Sequence, residues 1–409
     1  MIIHIIELQI LNRGEAMRRI SIEYAEPGMV NARSIYNSEG RVLLAAGVAL
    51  NQFYLERLSS LGIRSLYVRD EVTGDLMIPE VVSEKVRVET LKTVRSVFLQ
   101  LEASHQVNTR AVRQAVDQLL EEVLANPHTL VHLTDIRSFD DYLFAHSVNV
   151  CLLSLMTGLS LAMNTIQREL GVGALLHDIG KTAVSREIIN KTDPLTPEEF
   201  DEIKKHTTVG FDILRKHIDI SLLSSHVAFQ HHERQDGSGY PRGLRADEIQ
   251  EYARIVAVTD VYDALLADCW HRPAFLPHEA VRELTHGAYT RFDPRAVAAL
   301  LENVAIYPVG SVVQLNTGEV GIVVDVNKAA QKKPVVRLVV DQAGQRLTDG
   351  REIDLDKFHT VYIVKVFSNE VSYSLLQEVR EGRQFSLSSP GQEKPVPPKR
   401  GRAKGPLSD

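Results

Sequence analysis

Apolar residues recur at helical spacing over most of the middle of the chain, which predicts a mainly α-helical protein. The spacing is helical from about residue 81 to residue 126, and Pro127 marks a stop. Further on, it predicts a run of helices at 140–163, 165–178, 197–204, 206–217, 221–231, 251–267, 277–290 and 294–303. These segments are expected to form one helical domain.

Two shorter regions with strand patterns flank the helices. Residues 20–68 predict a small α+β module: a strand, a turn at Pro27-Gly28, a strand near 40–44, a helix around 53–58 and a strand at 65–68. After Pro308, short alternating strands separated by glycines predict a small β module that extends to about Val366. The Pro- and Lys/Arg-rich tail from about Ser386 is expected to be disordered.

These changes of pattern divide the chain into five segments. We expect an N-terminal module at 1–72, a linker with helices at 73–139, the main helical domain at 140–306, the β module at 307–366, and the tail at 386–409.

Composition limits the function classes. A chain of 409 residues with 44% hydrophobic and 24% charged residues is expected to be a soluble protein of two or three domains. The net charge of -7 gives no case for a nucleic-acid polymer as ligand, and a small anionic substrate would need a local positive site such as metal ions.

The cysteines and the first residues bear on location. Cys151 and Cys269 are far apart, so a disulfide framework is not expected and a reducing cytoplasm is. The apolar opening is interrupted by Glu7 and Arg13 and has no cleavage-site pattern, so we expect neither a signal peptide nor a membrane span.

Candidate chemistry lies in the helical domain. The pair His231-His232 ends one predicted helix, and His177-Asp178 ends another. A pair at a helix end can turn both side chains toward one cation, and a carboxylate can bridge two cations. Lys181, four residues after His177, would return to the same face and could hold a phosphate oxygen.

Three more residues extend the set. His146 lies on an earlier helix, His206 is expected to begin another, and Asp260 lies in an apolar run where a carboxylate is costly to bury unless it is paired or bound to metal. Taken singly, each residue has an ordinary interpretation, such as a packed core histidine or a capped helix end. The remaining histidines are assigned to surface or packing, among them His105, His128, His132, His217, His226 and His286.

Together these residues indicate a metal-dependent phosphohydrolase. Nitrogen and carboxylate ligands without thiolates suit two divalent ions such as Fe or Mn better than a structural zinc site. Two such ions could lower the pKa of a shared water and generate a bridging hydroxide as the nucleophile.

The motifs resemble the HD-GYP family of HD metal phosphohydrolases, which hydrolyses the bacterial messenger cyclic di-GMP. The resemblance covers residues 140–303, through the segments 146–150, 175–181, 205–210, 231–244 and 253–265. It implies that one metal is held by His146, His177, Asp178 and Asp260, and the other by Asp178, His206, His231 and His232. Asp178 would bridge the two and share the catalytic role with Lys181.

The resemblance also assigns substrate and partner contacts. Lys181 would bind phosphate, and Gly237, Gly239, Asp263 and Arg272 would contact the substrate. The Gly-Tyr-Pro loop (residues 236–241) uses glycines for close backbone approach, and Gly239, Tyr240 and Pro241 would contact partners such as diguanylate cyclases. An ordinary helix-joining turn is the alternative for this loop.

The chain departs from the family at two places. Tyr142 stands where some members have a Glu ligand for a third metal, which favours a two-metal site. Cys269 stands where the family has an Arg that would grip guanine or phosphate, while Arg272 keeps the later basic position. The second departure puts substrate affinity in question.

The N-terminal module resembles segments that precede this domain, and we expect it to be regulatory or to form a homodimer.

The sequence and this resemblance therefore predict a cytoplasmic phosphodiesterase that converts cyclic di-GMP to pGpG, and they leave open whether pGpG is cut further to GMP. Its expected architecture is a helical HD-type domain flanked by a small α+β module and a small β module. Two alternatives stay open: an HD phosphohydrolase that acts on another nucleotide, and a messenger-binding or partner-binding protein with weak catalysis.

Overall fold

The structure is a computed structural model that describes residues 17–69, 76, 78–132, 142–163, 167–189, 191, 193–267 and 274–383. Within these ranges the strands are β1 (Met17–Ser21), β2 (Ile35–Tyr36), β3 (Val42–Leu44), β4 (Ser65–Arg69), β5 (Val312–Leu315), β6 (Val320–Asp325), β7 (Val335–Val340), β8 (Glu352–Asp354) and β9 (Ile363–Val366). The helices are α1 (Gln52–Ser60), α2 (Glu84–Ser104), α3 (Thr109–Ala125), α4 (Tyr142–Ser160), α5 (Gln167–Leu175), α6 (Arg186–Ile189), α7 (Pro197–Leu214), α8 (Leu222–Gln230), α9 (Glu251–Leu266), α10 (Pro277–Gly287), α11 (Pro294–Leu301) and α12 (Asn369–Arg380). The protein is mainly helical, as predicted.

Helix α4 is the centre of the helical domain. Its residues 146–158 are all buried, and α2, α3, α5, α9 and α11 pack around it. A helix that is apolar on every side is stable only when it is surrounded in this way. By length and composition α4 could also cross a membrane, but 72% of its most apolar stretch is buried inside the protein, as in a core helix.

Helix α7 has a strong start signal. The Thr196 hydroxyl accepts a hydrogen bond from the Glu199 amide, the Glu199 carboxylate accepts one from the Thr196 amide, and Pro197 occupies the first turn. The predicted break between 204 and 206 is wrong, because residues 198–209 contain neither glycine nor proline and the helix runs through them. His206 therefore lies inside α7 and does not begin a helix.

The N-terminal module has the strands and the helix that its pattern predicts. β1 and β4 pair antiparallel, with Met17 opposite Arg69, and β2 pairs with β3. Asn51 caps α1 by accepting a hydrogen bond from the Tyr54 amide at 2.8 Å. The module has a hydrophobic core of its own that includes buried side chains from β1, α1 and β4.

The C-terminal module is a five-stranded antiparallel sheet in the order β8-β7-β6-β5-β9. Helix α12 follows the sheet and was not predicted. Its Tyr373 ring stacks on Tyr24 of the N-terminal module at 5.5 Å, and its hydroxyl donates a hydrogen bond to Glu26 at 3.1 Å. The two ends of the described chain are therefore in contact. The predicted tail at 386–409 lies outside the described residues.

Candidate metal centre

Five parts of the helical domain bring seven His and Asp side chains together in its interior. They are His146 on α4, His177 and Asp178 in the turn after α5, His206 on α7, His231 and His232 at the end of α8, and Asp260 on α9. Six of these residues are buried, and His232 is partly exposed.

The potential ligand atoms fall into two groups, and the atoms of each group lie within 4.8 Å of one another. One group is His146, His177 and Asp260, and the other is Asp178, His206, His231 and His232. Asp178 also adjoins the first group, because its Oδ2 lies 3.3 Å from His177 Nε2. The seven predicted ligands therefore meet at one place, and their role as ligands stays a prediction.

Backbone hydrogen bonds orient three of the imidazole rings. In each case Nδ1 lies within hydrogen-bonding distance of a carbonyl three or four residues earlier in the chain: His177 with Ala174 at 2.8 Å, His206 with Ile203 at 2.6 Å, and His231 with Val227 at 3.0 Å. A carbonyl only accepts, so Nδ1 carries the proton and a neutral ring keeps its lone pair on Nε2. This arrangement of an outer partner on one ring nitrogen is typical of histidines that bind metals.

At neutral pH most of the side chains in this centre are neutral or anionic. Burial lowers the pKa of His206 and brings the pKa of His232 to about 3, while that of His231 falls well below its usual range. Burial opposes ionisation of Asp178, but Lys181 and His177 hold the pKa of this carboxyl well below its usual range. At neutral pH the second group therefore presents lone pairs and a carboxylate.

Several nitrogen and oxygen atoms in this centre have no hydrogen-bond donor, and cations would fit between them. His206 Nε2 lies 3.3 Å from His231 Nε2 and 3.4 Å from Asp178 Oδ1. Because both rings carry their proton on Nδ1, no hydrogen lies between these atoms. Asp178 Oδ1 and His177 Nε2 are buried without a hydrogen-bond partner. Buried polar atoms of this kind are costly unless something satisfies them, and a divalent ion on these N and O donors would do so.

His146 lies between two carboxylates. Its Nδ1 is 2.7 Å from Asp263 Oδ2, and its Nε2 is 3.0 Å from Asp260 Oδ1. Burial lowers the pKa of His146, but the hydrogen bonds to the two carboxylates outweigh it and raise the pKa to about 9. Asn149 donates a hydrogen bond to the other Asp263 oxygen at 2.9 Å, which fixes that carboxylate behind the ring.

Lys181 is a partly exposed cation beside the centre. Its Nζ donates a hydrogen bond to Asp178 Oδ2 at 2.6 Å, and its side chain keeps 24% of its surface exposed. The short 3₁₀ helix Ile179–Ala183 carries it, and α5 ends at Leu175, two residues before His177. Lys181 therefore contacts both the buried carboxylate and solvent.

A close backbone contact sets the distance between Asp178 and His206. A Cβ on Gly180 would lie 1.9 Å from the carbonyl oxygen of His206 and 2.6 Å from the amide nitrogen of Gly210. Only glycine fits there, so the turn that carries Asp178 can rest directly on the backbone of α7.

The Gly-Tyr-Pro loop folds back over His232. The Tyr240 ring stacks on the His232 ring at 4.7 Å, and the Tyr240 amide donates to the His232 carbonyl at 3.2 Å. A Cβ on Gly239 would lie 2.4 Å from the backbone of Glu233. Gly237 has a φ of +80°, a conformation that favours glycine. Pro241 is exposed.

A buried carboxylate that the sequence analysis did not identify fastens this loop. Glu233, 1% exposed, accepts hydrogen bonds from the backbone amides of Arg242 at 2.8 Å and Leu244 at 2.9 Å. Its position directly after the His231-His232 pair could have indicated this role. A third polar residue at a buried helix end needs hydrogen-bond partners of its own.

Two of the predicted substrate contacts, Asp263 and Arg272, differ in what the structure describes of them. Asp263 is 1% exposed and contacts His146 from behind, which supports a positioning role, and its contact with substrate stays a prediction. Arg272 and Cys269 lie outside the described residues. Tyr142, at the position of the third-metal Glu, stacks its ring on His146 at 5.5 Å.

The fold and the centre define a helical protein of the HD class. Residues 133–296 match the family described as HD domain, and residues 312–373 match the family described as KOW domain associated with HD domain. The chain therefore contains an HD domain followed by a KOW domain of the kind associated with HD domains.

Named relatives agree with this assignment. The chain is 35% identical over 268 residues to "Cyclic di-GMP phosphodiesterase PA4108" of Pseudomonas aeruginosa, a match that covers 62% of this chain and 64% of the relative. It is 44% identical over 138 residues to "Cyclic di-GMP phosphodiesterase" of Thermotoga maritima, which covers 33% and 37%. It is 34% identical over 168 residues to "3'3'-cGAMP-specific phosphodiesterase 3" of Vibrio cholerae, which covers 41% and 36%. The chain thus spans just under two thirds of the first relative and little more than a third of the others.

Proposed function

We propose that this protein is a metal-dependent phosphodiesterase that hydrolyses cyclic di-GMP to pGpG and then to GMP. The observation that carries the proposal is the pair of adjoining His/Asp groups, with Lys181 beside them. The names of the Pseudomonas and Thermotoga relatives support the substrate.

Two divalent cations would occupy the centre. His146, His177 and Asp260 would hold one, the other four residues of the centre would hold the second, and Asp178 would contact both. Fe or Mn fits these nitrogen and carboxylate donors, since thiolates are lacking among them. When bound, the pair supplies an activated water at neutral pH and neutralises charge on the phosphodiester.

The protein's own residues hold and orient the reactants. Burial opposes the charged form of Asp178, but its neighbours, first among them the ammonium of Lys181, together outweigh it, so Asp178 stays ionised. Lys181 can turn its partly exposed ammonium from Asp178 to a non-bridging phosphate oxygen, where it would oppose the charge that develops in the transition state. Asp263 fixes the orientation of His146 through Nδ1.

The Gly-Tyr-Pro loop would have two roles. Tyr240 covers His232 and limits access of water to that side of the centre. Gly237 and Gly239 let the backbone come close to a ligand, and the exposed Pro241 offers a contact for partners such as diguanylate cyclases.

The remaining segments would serve this activity in the cytoplasm. We assign catalysis to residues 140–306 and regulation or homodimer formation to residues 1–72, with helices at 73–139 between them. The β module at 307–366 and the tail at 386–409 complete the proposed organisation.

A substrate panel tests the proposal. Metal-loaded protein is incubated with cyclic di-GMP, 3'3'-cGAMP and pGpG, and the products are separated by chromatography. We expect pGpG and then GMP from cyclic di-GMP, and a loss of about a hundredfold or more in His231→Ala, because a ligand is removed. His128→Ala, an exposed histidine, is the matched control and should behave as wild type.

Two outcomes would change the assignment. Turnover of 3'3'-cGAMP with none of cyclic di-GMP would replace the substrate, as the Vibrio relative's name suggests for that protein. Full metal content with tight nucleotide binding and no turnover would favour a messenger-binding protein.

A further inference from the structure

A groove of about 910 Å³ lies between the N-terminal module and the helical domain. Residues 37–61 of the module form one wall, α2 forms another, and the start of α4 and residues 181–189 complete it. Its volume falls within the range of small-molecule binding sites.

This groove borders the metal centre through two residues that contact it. Lys181 and Tyr142 both line it. Lys181 is hydrogen-bonded to Asp178, and Tyr142 is stacked on His146. A ligand whose phosphate reaches Lys181 would therefore have the rest of its body at the entrance to the groove.

The charges of the groove suit an anion. Four cationic side chains line it, Arg57, Arg95, Lys181 and Arg186, against two anionic ones, Glu39 and Glu102. The formal surplus of two positive charges contrasts with the net charge of -7 for the whole chain. A local excess of this kind concentrates anions at a site on an otherwise acidic protein.

Arg57 is the cation that the fold leaves uncommitted. Arg95 lies 3.1 Å from Glu39, and Arg186 lies 2.7 Å from Glu102. Arg57, in the last turn of α1, is exposed, and it forms no ion pair with any other described residue. Its guanidinium is therefore available to a ligand phosphate, for which Arg has a matched donor geometry.

The rest of the lining suits a nucleobase. Phe144 and Leu99 are partly exposed in the groove, and Phe144 packs edge-on against Phe98 at 5.6 Å. A planar aromatic base can pack against such a surface while the phosphate faces the arginines.

We propose that the N-terminal module forms part of the substrate cleft and that Arg57 binds the phosphate of the cyclic dinucleotide that is not being cut. A cyclic dinucleotide carries two phosphates and two bases, which matches a cleft with one phosphate site at Lys181 and a second in the groove. This inference rests on the proposed function, and it makes the module a determinant of substrate size.

Kinetics on two substrates test the proposed role of Arg57. Cyclic di-GMP carries a second phosphate, and bis(4-nitrophenyl) phosphate does not. Arg57→Ala should raise KM for cyclic di-GMP about three- to tenfold and Arg57→Glu more than about tenfold, with kcat and metal content unchanged. Both variants should hydrolyse the small diester as wild type does, and Arg57→Lys should recover part of the loss. Arg64→Ala, an exposed arginine of the same module outside the groove, is the control.

Equilibrium binding of cyclic di-GMP is measured on the same proteins, so that the groove is tested even if the protein does not cleave the dinucleotide. Absence of turnover in wild type contradicts the proposed function, whereas weaker binding in Arg57→Glu still supports the groove. Unchanged KM and binding in Arg57→Glu would overturn the inference. Equal losses on both substrates would overturn it too, since they would indicate a separate effector site or a structural effect. If wild type binds a second equivalent of nucleotide and Arg57→Glu loses it without a change in KM, the inference is also overturned. The groove would then be a separate effector site.

Discussion

The contact between Gly180 and α7 predicts a specific failure when a single methyl group is added. In Gly180→Ala the new Cβ would lie 1.9 Å from the His206 carbonyl oxygen, where ordinary contacts begin at about 3.4 Å. The turn and the helix must therefore separate by about 1.5 Å, because the obstacle is backbone and cannot rotate away.

The size of the effect follows from this separation. Overpacking costs about 1–3 kcal/mol of folding free energy, which corresponds to a fall of roughly 2–10 °C in Tm. The effect on the centre is larger, since a shift of 1.5 Å between Asp178 and His206 greatly exceeds the tolerance of about 0.2 Å in metal-ligand distances. We expect loss of the cation proposed to bind between these two residues and a fall of about a hundredfold or more in the proposed phosphodiesterase activity.

A matched variant lies on the other side of the same contact. A Cβ on Gly210 would meet the Gly180 amide nitrogen and the Ala228 side chain at 3.3 Å, which requires a movement of only tenths of an ångström. Gly210→Ala should therefore retain nearly full metal content and activity. Thermal melting, elemental analysis and initial rates are compared for both variants. If Gly180→Ala has the melting temperature, metal content and rate of wild type, the account of this contact is wrong.

Three further predictions concern ionisable groups that are buried or partly buried. Asp263→Asn should weaken metal binding about 10- to 100-fold in a metal titration, because His146 loses its anionic partner, whereas the exposed control Asp247→Asn should not. Glu233→Gln should speed hydrogen exchange of the Gly-Tyr-Pro loop by an amount equivalent to about 1–3 kcal/mol, and exchange at the wild-type rate would refute its role. Burial lowers the pKa of His132 to about 4, so its neutral form stabilises the fold fully above pH 6.5, and up to about 3 kcal/mol is lost as pH falls from 6.5 to 4. Urea denaturation of His132→Gln should lack this part of the pH dependence, and the exposed control His128→Gln should retain it.

Local patterns were sufficient to predict most of the helical domain. The Thr196-Pro197 start of α7 and the Asp293-Pro294 start of α11 are signals that depend only on neighbouring residues. His177 and His231 each stand next to a second potential ligand at the end of a predicted helix. This pattern involves only neighbouring residues, so both could be identified as candidates from the sequence alone.

Other features depend on contacts between distant residues and could not be predicted. Asp263 has the spacing of a residue on the same face as Asp260, and only the packing of α9 against α4 shows that it lies behind His146. Helix α12 is amphipathic but short, and it packs on the sheet through Leu375 and Leu376 and reaches Tyr24, 349 residues away, through Tyr373. The break predicted before His206 had no local cause, since no glycine or proline occurs there.

The most direct test of the central claim is the metal content of wild type and Asp178→Ala, measured by elemental analysis on the protein samples used to assay cyclic di-GMP turnover. Because Asp178 adjoins both ligand groups, we expect about two cations per chain with turnover in wild type. Asp178→Ala should retain less than about one cation and show no turnover. Two cations and full activity in Asp178→Ala, or turnover by wild type without stoichiometric metal, would contradict the account.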